Sequence, residues 1–246
     1  MSITLSIVTG ASRGLGRAIA EQLLARGEHL ISISRRAPEG LSSSRLQHWS
    51  ADLADAGAVA LRLREHLQAQ GPQAFARLTL INNAGVISKL APLGEVDGED
   101  LARAIRVGLE APLRLTAAFL GATRGWATPR KVLLVSSGLG RRAMAGSASY
   151  CAAKAGLDHL ARAVALEEAA QAHGAQIVSL APGVIDTEMQ LQLRSADPDA
   201  FPDHTRFAAL HRDGQLESPA AAAARLITFL DRSDFGANPV ADVRSA

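Results

Sequence analysis

The 246-residue sequence predicts an α/β protein: a single-domain, doubly wound parallel sheet of about seven strands with helices on both faces. Three observations predict it. Short apolar, β-branched segments alternate with amphipathic helical ones along the chain, and that alternation implies a parallel sheet covered on both sides. Several strand segments end in small or amide residues, as at Gly10-Ala11-Ser12, Asn82-Asn83-Ala84-Gly85 and Pro182-Gly183. No internal repeat or linker divides the chain, and its length suffices for one large core.

Composition excludes several classes. Hydrophobic residues make up 48% and charged residues 20%, a balance typical of a globular protein in water. The basic pI of about 9.1 reflects a small arginine excess. No long Lys/Arg stripe with interleaved aromatics accompanies it, so no nucleic-acid partner is expected. No apolar run reaches the roughly 18 residues that span a bilayer, so no membrane partner is expected either. Cys151 is the only cysteine and reads as a small packing residue beside Tyr150. The expectation is a cytoplasmic, reducing location and no metal site.

Ile3 to Thr9 is the first strand, and Leu15 to Arg26 the first helix, stopping at Gly27. Between them runs Gly10-Ala11-Ser12-Arg13-Gly14-Leu15-Gly16. Strand, glycine-rich turn and helix in that order form a phosphate cradle: glycines admit a pyrophosphate to the backbone, and the helix N-terminus offers unpaired N–H groups. Gly10, Ser12, Arg13, Gly14, Leu15 and Gly16 are therefore dinucleotide-binding candidates.

His29 to Ser34 is the second strand. Where an NAD-binding fold carries an acid for the ribose 2′-hydroxyl, this chain has Ser34 followed by Arg35 and Arg36. Arginine forks suit a 2′-phosphate, so these residues, with Arg13, predict NADP(H). Gln47 to Ala51 is a third strand, followed by Asp52-Leu53; Asp52 reads as an adenine contact or as the cap of the next helix, Ala54 to Gln70. The fourth strand, Leu78 to Ile81, ends in Asn82-Asn83-Ala84-Gly85, and Asn83, Ala84 and Gly85 permit close backbone approach to a cofactor.

A long helical pattern covers Glu99 to Arg124, with Pro112 as a kink or break. The fifth strand, Lys131 to Val135, delivers Ser136-Ser137-Gly138-Leu139-Gly140. A helix from about Ala148 to His173 then places Tyr150 and Lys154 one turn apart on one face. A hydroxyl, a phenol and an ammonium can thus meet in one cleft. The sixth strand, Gln176 to Leu180, ends in Ala181-Pro182-Gly183-Val184-Ile185-Asp186-Thr187. Asp186 to Gln215 is irregular yet studded with Met189, Leu191, Leu193, Phe201, Phe207 and Leu210, which fits a loop-like lid over a substrate cleft, with a surface helical hairpin as the alternative. Ser218-Pro219 opens the last helix, and Pro239-Val240 is a final short strand.

Four motifs in order resemble the short-chain dehydrogenase/reductase family over nearly the whole chain: Thr9 to Gly16, Asn82 to Gly85, Ser137 with Tyr150 and Lys154, and Pro182-Gly183. More narrowly, Ile31 to Arg36, Tyr150-Cys151 and Val184 to Gln190 are similar to bacterial sepiapterin-reductase-like enzymes, in particular benzil reductases that form (S)-benzoin. The resemblance implies a Rossmann-type fold and NADPH-dependent reduction of a ketone or α-diketone. Tyr150 would donate the proton, Ser137 would align the carbonyl, and Lys154 would bond the nicotinamide ribose and, with the oxidised nicotinamide, supply the positive charge that lowers the phenol's pKa. A drop from ~10 to ~7 corresponds to roughly 4 kcal/mol. Thr187, Pro182, Gly183 and Val184 would shape the nicotinamide pocket, and Leu139, Gly183 and Met189 would join Ser137 and Tyr150 around an apolar substrate. The resemblance also implies a homodimer or homotetramer built through the two long helices.

One position departs from the pattern. Where the family usually has Asn, holding a water that links the Lys to solvent, this chain has Val107-Gly108-Leu109. Two alternatives stand beside the diketone reductase: a pterin reductase of the sepiapterin type, and an NADP-binding regulatory protein that has lost turnover.

Overall fold

The strands form where chain segments are apolar on both faces. In the computed structural model, which describes residues 3–245, β1 (Ile3–Thr9) directs Leu5 and Ile7 to one face of the sheet and Val8 to the other. β5 (Arg130–Val135) repeats the rule, with Val132 and Leu134 on one side and Leu133 and Val135 on the other. With β2 (His29–Ser34), β3 (Leu46–Ser50), β4 (Phe75–Asn82), β6 (Gln176–Ala181) and β7 (Val240–Asp242) they make one seven-stranded sheet, ordered β3-β2-β1-β4-β5-β6-β7. Every pairing is parallel.

Helices cover both faces. α2 (Gly57–Gln70), α4 (Ala111–Ala122) and α5 (Ala148–Ala169) bury Leu63, Phe119 and Leu157 against one. α1 (Gly14–Ala25) and α8 (Pro219–Asp231) bury Ile19, Leu23 and Leu226 against the other. The strand order reverses at the β1–β4 pair, and open α/β sheets bind ligands beyond the strand C-termini at such a switch point.

Besides shifts of one to three residues at element ends, four helical segments differ from the sequence reading, each for a local reason. The helix expected from Ala54 begins as a separate 3₁₀ turn, Leu53–Asp55, because the Asp52 carboxylate accepts from the Ala54 amide at 3.0 Å. The long Glu99–Arg124 pattern is α3 (Gly98–Ile105) and α4 joined by a π turn at Arg106–Glu110, just ahead of Pro112. α5 ends at Ala169 rather than near His173, since the chain folds Gly174 back onto the Glu168 carbonyl and Glu168 accepts from the Ala175 amide at 2.7 Å. Within Asp186–Gln215 the structure has two short helices, α6 (Glu188–Arg194) and α7 (His204–Arg212), which favours the helical alternative over the loop.

Candidate active site

The site begins where β5 stops. Ser136 turns inward and donates to Asp158, while Ser137 caps a 3₁₀ turn, Gly138–Gly140, by accepting from the Leu139 amide at 3.2 Å. Lys154 is buried and donates from Nζ to the Val135 carbonyl at 2.7 Å. Its Nζ lies 5.5 Å from the centre of the Tyr150 ring. A side chain at Gly85 would come within 3.6 Å of that Nζ, so the β4 loop rests directly on the lysine. Ser137, Tyr150 and Lys154 are thus gathered at the carboxyl ends of β4 and β5.

Burial dominates the electrostatics here. The Tyr150 phenol is pushed up to about 12 by desolvation, with the Ser137 hydroxyl acting the other way. The Lys154 ammonium is pulled down to about 8 by desolvation, against an upward pull from Asp158. Lys154 alone therefore does not bring about the expected lowering of the phenol. Lys154 aims at a backbone carbonyl, and losing water disfavours both charged forms. The consequence is a phenol that keeps its proton throughout the neutral range.

The glycine-rich turn lies beside this floor. Thr9 Oγ1 accepts from the amides of Asn83 and Ala84, at 2.9 and 3.0 Å, and Asn83 Nδ2 returns a bond to the Thr9 carbonyl at 3.0 Å. Gly16 has no room for a Cβ, which would collide with the Gly10 carbonyl and the Asn83 amide. No side chain caps α1 and no acid occupies its first turn, so its N-terminal amides face the cradle without a competing carboxylate. Such an end fits a pyrophosphate.

The cation cluster is more dispersed than its sequence suggests. Ser34 is buried and its hydroxyl donates to the Arg36 carbonyl at 2.8 Å, while the Arg35 and Arg36 side chains are exposed. The Asp52 carboxyl is held below its usual range by the Ala54 amide first, then by the Arg103 and Arg35 cations. Asp52 is thus a cap that also sits next to Arg35. Arg13 pairs with Glu188 at the start of α6.

β6 leads into Pro182-Gly183-Val184, with Gly183 in the left-handed region at φ 89°. Glu217 pairs with this loop, donating to the Val184 carbonyl at 2.9 Å and accepting from the Asp186 amide at 2.8 Å. Thr187 follows, its hydroxyl not spent on capping α6 and its methyl 3.5 Å from where a Gly14 Cβ would lie. Over the floor, Leu139, Met144 and Tyr150 pack with Leu193, Phe201 and Phe207 of the α6–α7 region, with Met189 and Cys151 at the edge. Cys151 has the packing position expected of it. Two surface clefts, about 320 and 450 Å³, open at the opposite ends of the strands beside Phe75 and Phe235, away from every candidate residue.

Residues 4–198 match the family model for short chain dehydrogenase. The chain belongs to that family. A short-chain dehydrogenase/reductase is an oxidoreductase that uses a nicotinamide cofactor and acts at CH–OH/C=O centres. Among its relatives, benzil reductase ((S)-benzoin forming) of Bacillus cereus is 34% identical, covering 93% of this chain and 94% of that protein. Sepiapterin reductase of Meriones unguiculatus is 30% identical, covering 96% and 94%. The crystal structure of KRED1-Pglu enzyme superposes with a TM-score of 0.81 at 28% identity, covering 97% of this chain and 99% of that one.

Sequence reasoning passed over several residues that hold this short-chain dehydrogenase/reductase site together: Thr9 as a clasp, and Asp158, Ser179 and Arg141 beneath Ser136. Asp158 did carry a signal, an acid one turn beyond Lys154 on the buried face of α5. Gly108 proves to be a point of close approach. A Cβ there would lie 3.1 Å from Ala153, and on the facing helix a Cβ at Gly156 would press 2.8 Å from Leu109. The π turn and α5 interlock where the family's usual Asn would need room.

Proposed function

We propose that this protein is an NADPH-dependent carbonyl reductase of the cytoplasm, acting on a ketone or α-diketone of the benzil type, with Tyr150 as proton donor. The observation that carries this reading is the convergence of Ser137, Tyr150 and Lys154 beside the uncapped α1 terminus, beneath an apolar cover. The cradle fits the cofactor: Gly10, Ser12, Gly14, Leu15 and Gly16 would hold the pyrophosphate, Asp52 and Leu53 the adenine side, and Asn83, Ala84 and Gly85 the far wall. Pro182, Gly183, Val184 and Thr187 would orient the nicotinamide. When bound, the reduced cofactor supplies the hydride.

The side chains do the rest. Ser137 holds the carbonyl oxygen against Tyr150. Tyr150, kept protonated by burial, gives its proton to that oxygen as the alcohol forms. Lys154 would bond the cofactor ribose and stabilise the phenolate left behind. Leu139, Gly183 and Met189 line the substrate side, and α6 and α7 form the lid that excludes water. Arg13, Arg35 and Arg36, with the small Ser34 between strand and loop, favour a 2′-phosphate; Arg13 exchanges Glu188 for it. Leu113 on α4 and Leu166 on α5 are exposed, which supports homodimer or homotetramer contacts through those helices.

The test is NADPH and NADH oxidation with a panel holding benzil, simple ketones and sepiapterin. Turnover of benzil with NADPH supports the reading, and faster turnover of sepiapterin moves the substrate class to pterins. Tight NADPH binding with no oxidation by any carbonyl overturns it in favour of a regulatory protein. Arg35→Asp is expected to cut the preference for NADPH over NADH about tenfold or more; an unchanged preference would remove Arg35 from the 2′-phosphate site.

A further inference from the structure

Beneath Ser137, and untouched by the chemistry above, lies a carboxylate with 2% of its surface exposed. Asp158 Oδ1 accepts from Ser136 Oγ at 2.7 Å and from Ser179 Oγ at 2.7 Å. Its Oδ2 accepts from Arg141 Nε at 3.1 Å. Arg141 reaches on to the Ala241 carbonyl at 2.9 Å and to Asp242 at 3.9 Å. One carboxylate thereby joins α5 to the ends of β5 and β6 and, through Arg141, to β7.

We propose that Asp158 is a positioning residue for the reductase site, locking the Ser136–Ser137 strand end onto α5 and supplying the buried negative charge one turn from Lys154. The proposal rests on the carbonyl-reductase reading and adds to it a residue that touches neither substrate nor cofactor. Ser136 is adjacent to Ser137, and Val135, which takes the Lys154 hydrogen bond, is adjacent to Ser136. A shift of this strand end therefore moves both partners of Tyr150 together. Gly140 completes the joint, since a Cβ there would lie 2.8 Å from Asp158 Oδ2 and 2.9 Å from the Lys154 carbonyl.

The groups around Lys154 come from several elements. α5 contributes Tyr150 and Asp158, the turn after β5 contributes Arg141, and β7 contributes Asp242 behind it. Gly85, beyond the end of β4, lies against the lysine Nζ, and Cys151 points towards the Met144 carbonyl. Asp158 is the anion among these that raises Lys154 against desolvation.

The chain has three lysines, Lys89, Lys131 and Lys154, so ¹³C NMR of lysine-labelled, cofactor-free protein resolves each titration. In Asp158→Asn the Lys154 midpoint is expected to fall by about one unit. The same variant is expected to lose about tenfold or more in kcat at pH 8 while its NADPH Kd stays within about threefold. Ser136→Ala keeps the charge and loosens the strand end. It is expected to lower kcat about threefold with the Lys154 midpoint unmoved. An unmoved midpoint in Asp158→Asn, or wild-type kcat per NADPH-binding site, overturns the proposal; so does parallel loss of binding and turnover. If Asp158→Asn does not fold, wild-type kcat in Ser136→Ala together with Ser179→Ala overturns it instead. Failure of the wild type to reduce any carbonyl would strike the functional reading, whereas the NMR titration needs neither substrate nor cofactor.

Discussion

The floor of the site and its cover are held by different forces. Below, Ser136, Ser179, Arg141 and Lys154 form buried hydrogen bonds that span β5, β6 and α5. Above, α6 and α7 sit on apolar contacts, with the rings of Phe201 and Phe207 stacked at 5.8 Å, and on exposed ion pairs such as Arg13–Glu188 and Arg194–Asp186. Directional bonds in a dry interior fix geometry, while apolar contacts tolerate sliding and exposed ion pairs contribute little. The difference suits the proposed reductase, in which the floor would keep a proton donor aimed and the cover would admit and release a ligand.

Breaking the floor is expected to have the largest effects. Tyr150→Phe removes the proton and leaves the packing, so carbonyl reduction should fall about 10³-fold while NADPH affinity, read by fluorescence titration, changes little. Retention of more than a tenth of wild-type turnover would mean that another group donates. Lys154→Met tests the electrostatics of the same floor. A lysine pulled down to about 8 binds fewer protons folded than unfolded between pH 8 and 10.5, so wild-type stability should rise across that window. The gain is roughly 3 kcal/mol, and Tyr150 reverses it above pH 10, where the folded phenol holds its proton longer. In Lys154→Met, denaturation midpoints measured from pH 7 to 10.5 should lose that rise.

The junction of π turn and α5 should respond less. Gly108→Asn must displace Ala153, 3.1 Å from the new Cβ, at a cost of about 1–3 kcal/mol in denaturant unfolding, with NADPH affinity nearly unchanged. A large loss of binding would show that Gly108 faces the cofactor instead. The cover should respond least. Glu188→Gln removes an exposed pair, and stability should change by less than about 1 kcal/mol. NADPH should bind somewhat faster because Arg13 is no longer shared, which stopped-flow association would detect. If Glu188→Gln were as costly as Gly108→Asn, the contrast between floor and cover would fail.

Much of this was legible along the chain, because it depends on local spacing. The apolar period of each strand, the glycines that turn into α1 and the i, i+4 relation of Tyr150 and Lys154 are properties of neighbouring residues. Those properties specify a parallel sheet, a phosphate cradle and a shared helix face before any long-range contact forms. The irregular Asp186–Gln215 segment was not legible. Its two helices are too short to be stable alone and exist by packing Leu193, Phe201 and Phe207 onto Leu139, Met144 and Tyr150. Gly146, at φ 71°, makes part of that seat, since a Cβ there would lie 3.1 Å from the Phe201 ring.

By itself the sequence determined the alternation of seven strands with the principal helices, the helical spacing that sets Tyr150 and Lys154 on one face, and the basic character of the β2 end. The tertiary structure decided which of those groups keep their charge. Burial outweighs Lys154 at the Tyr150 phenol, Asp158 becomes the anion beneath Lys154, and Glu188 takes Arg13, because desolvation and long-range pairing depend on what the fold stacks around a group.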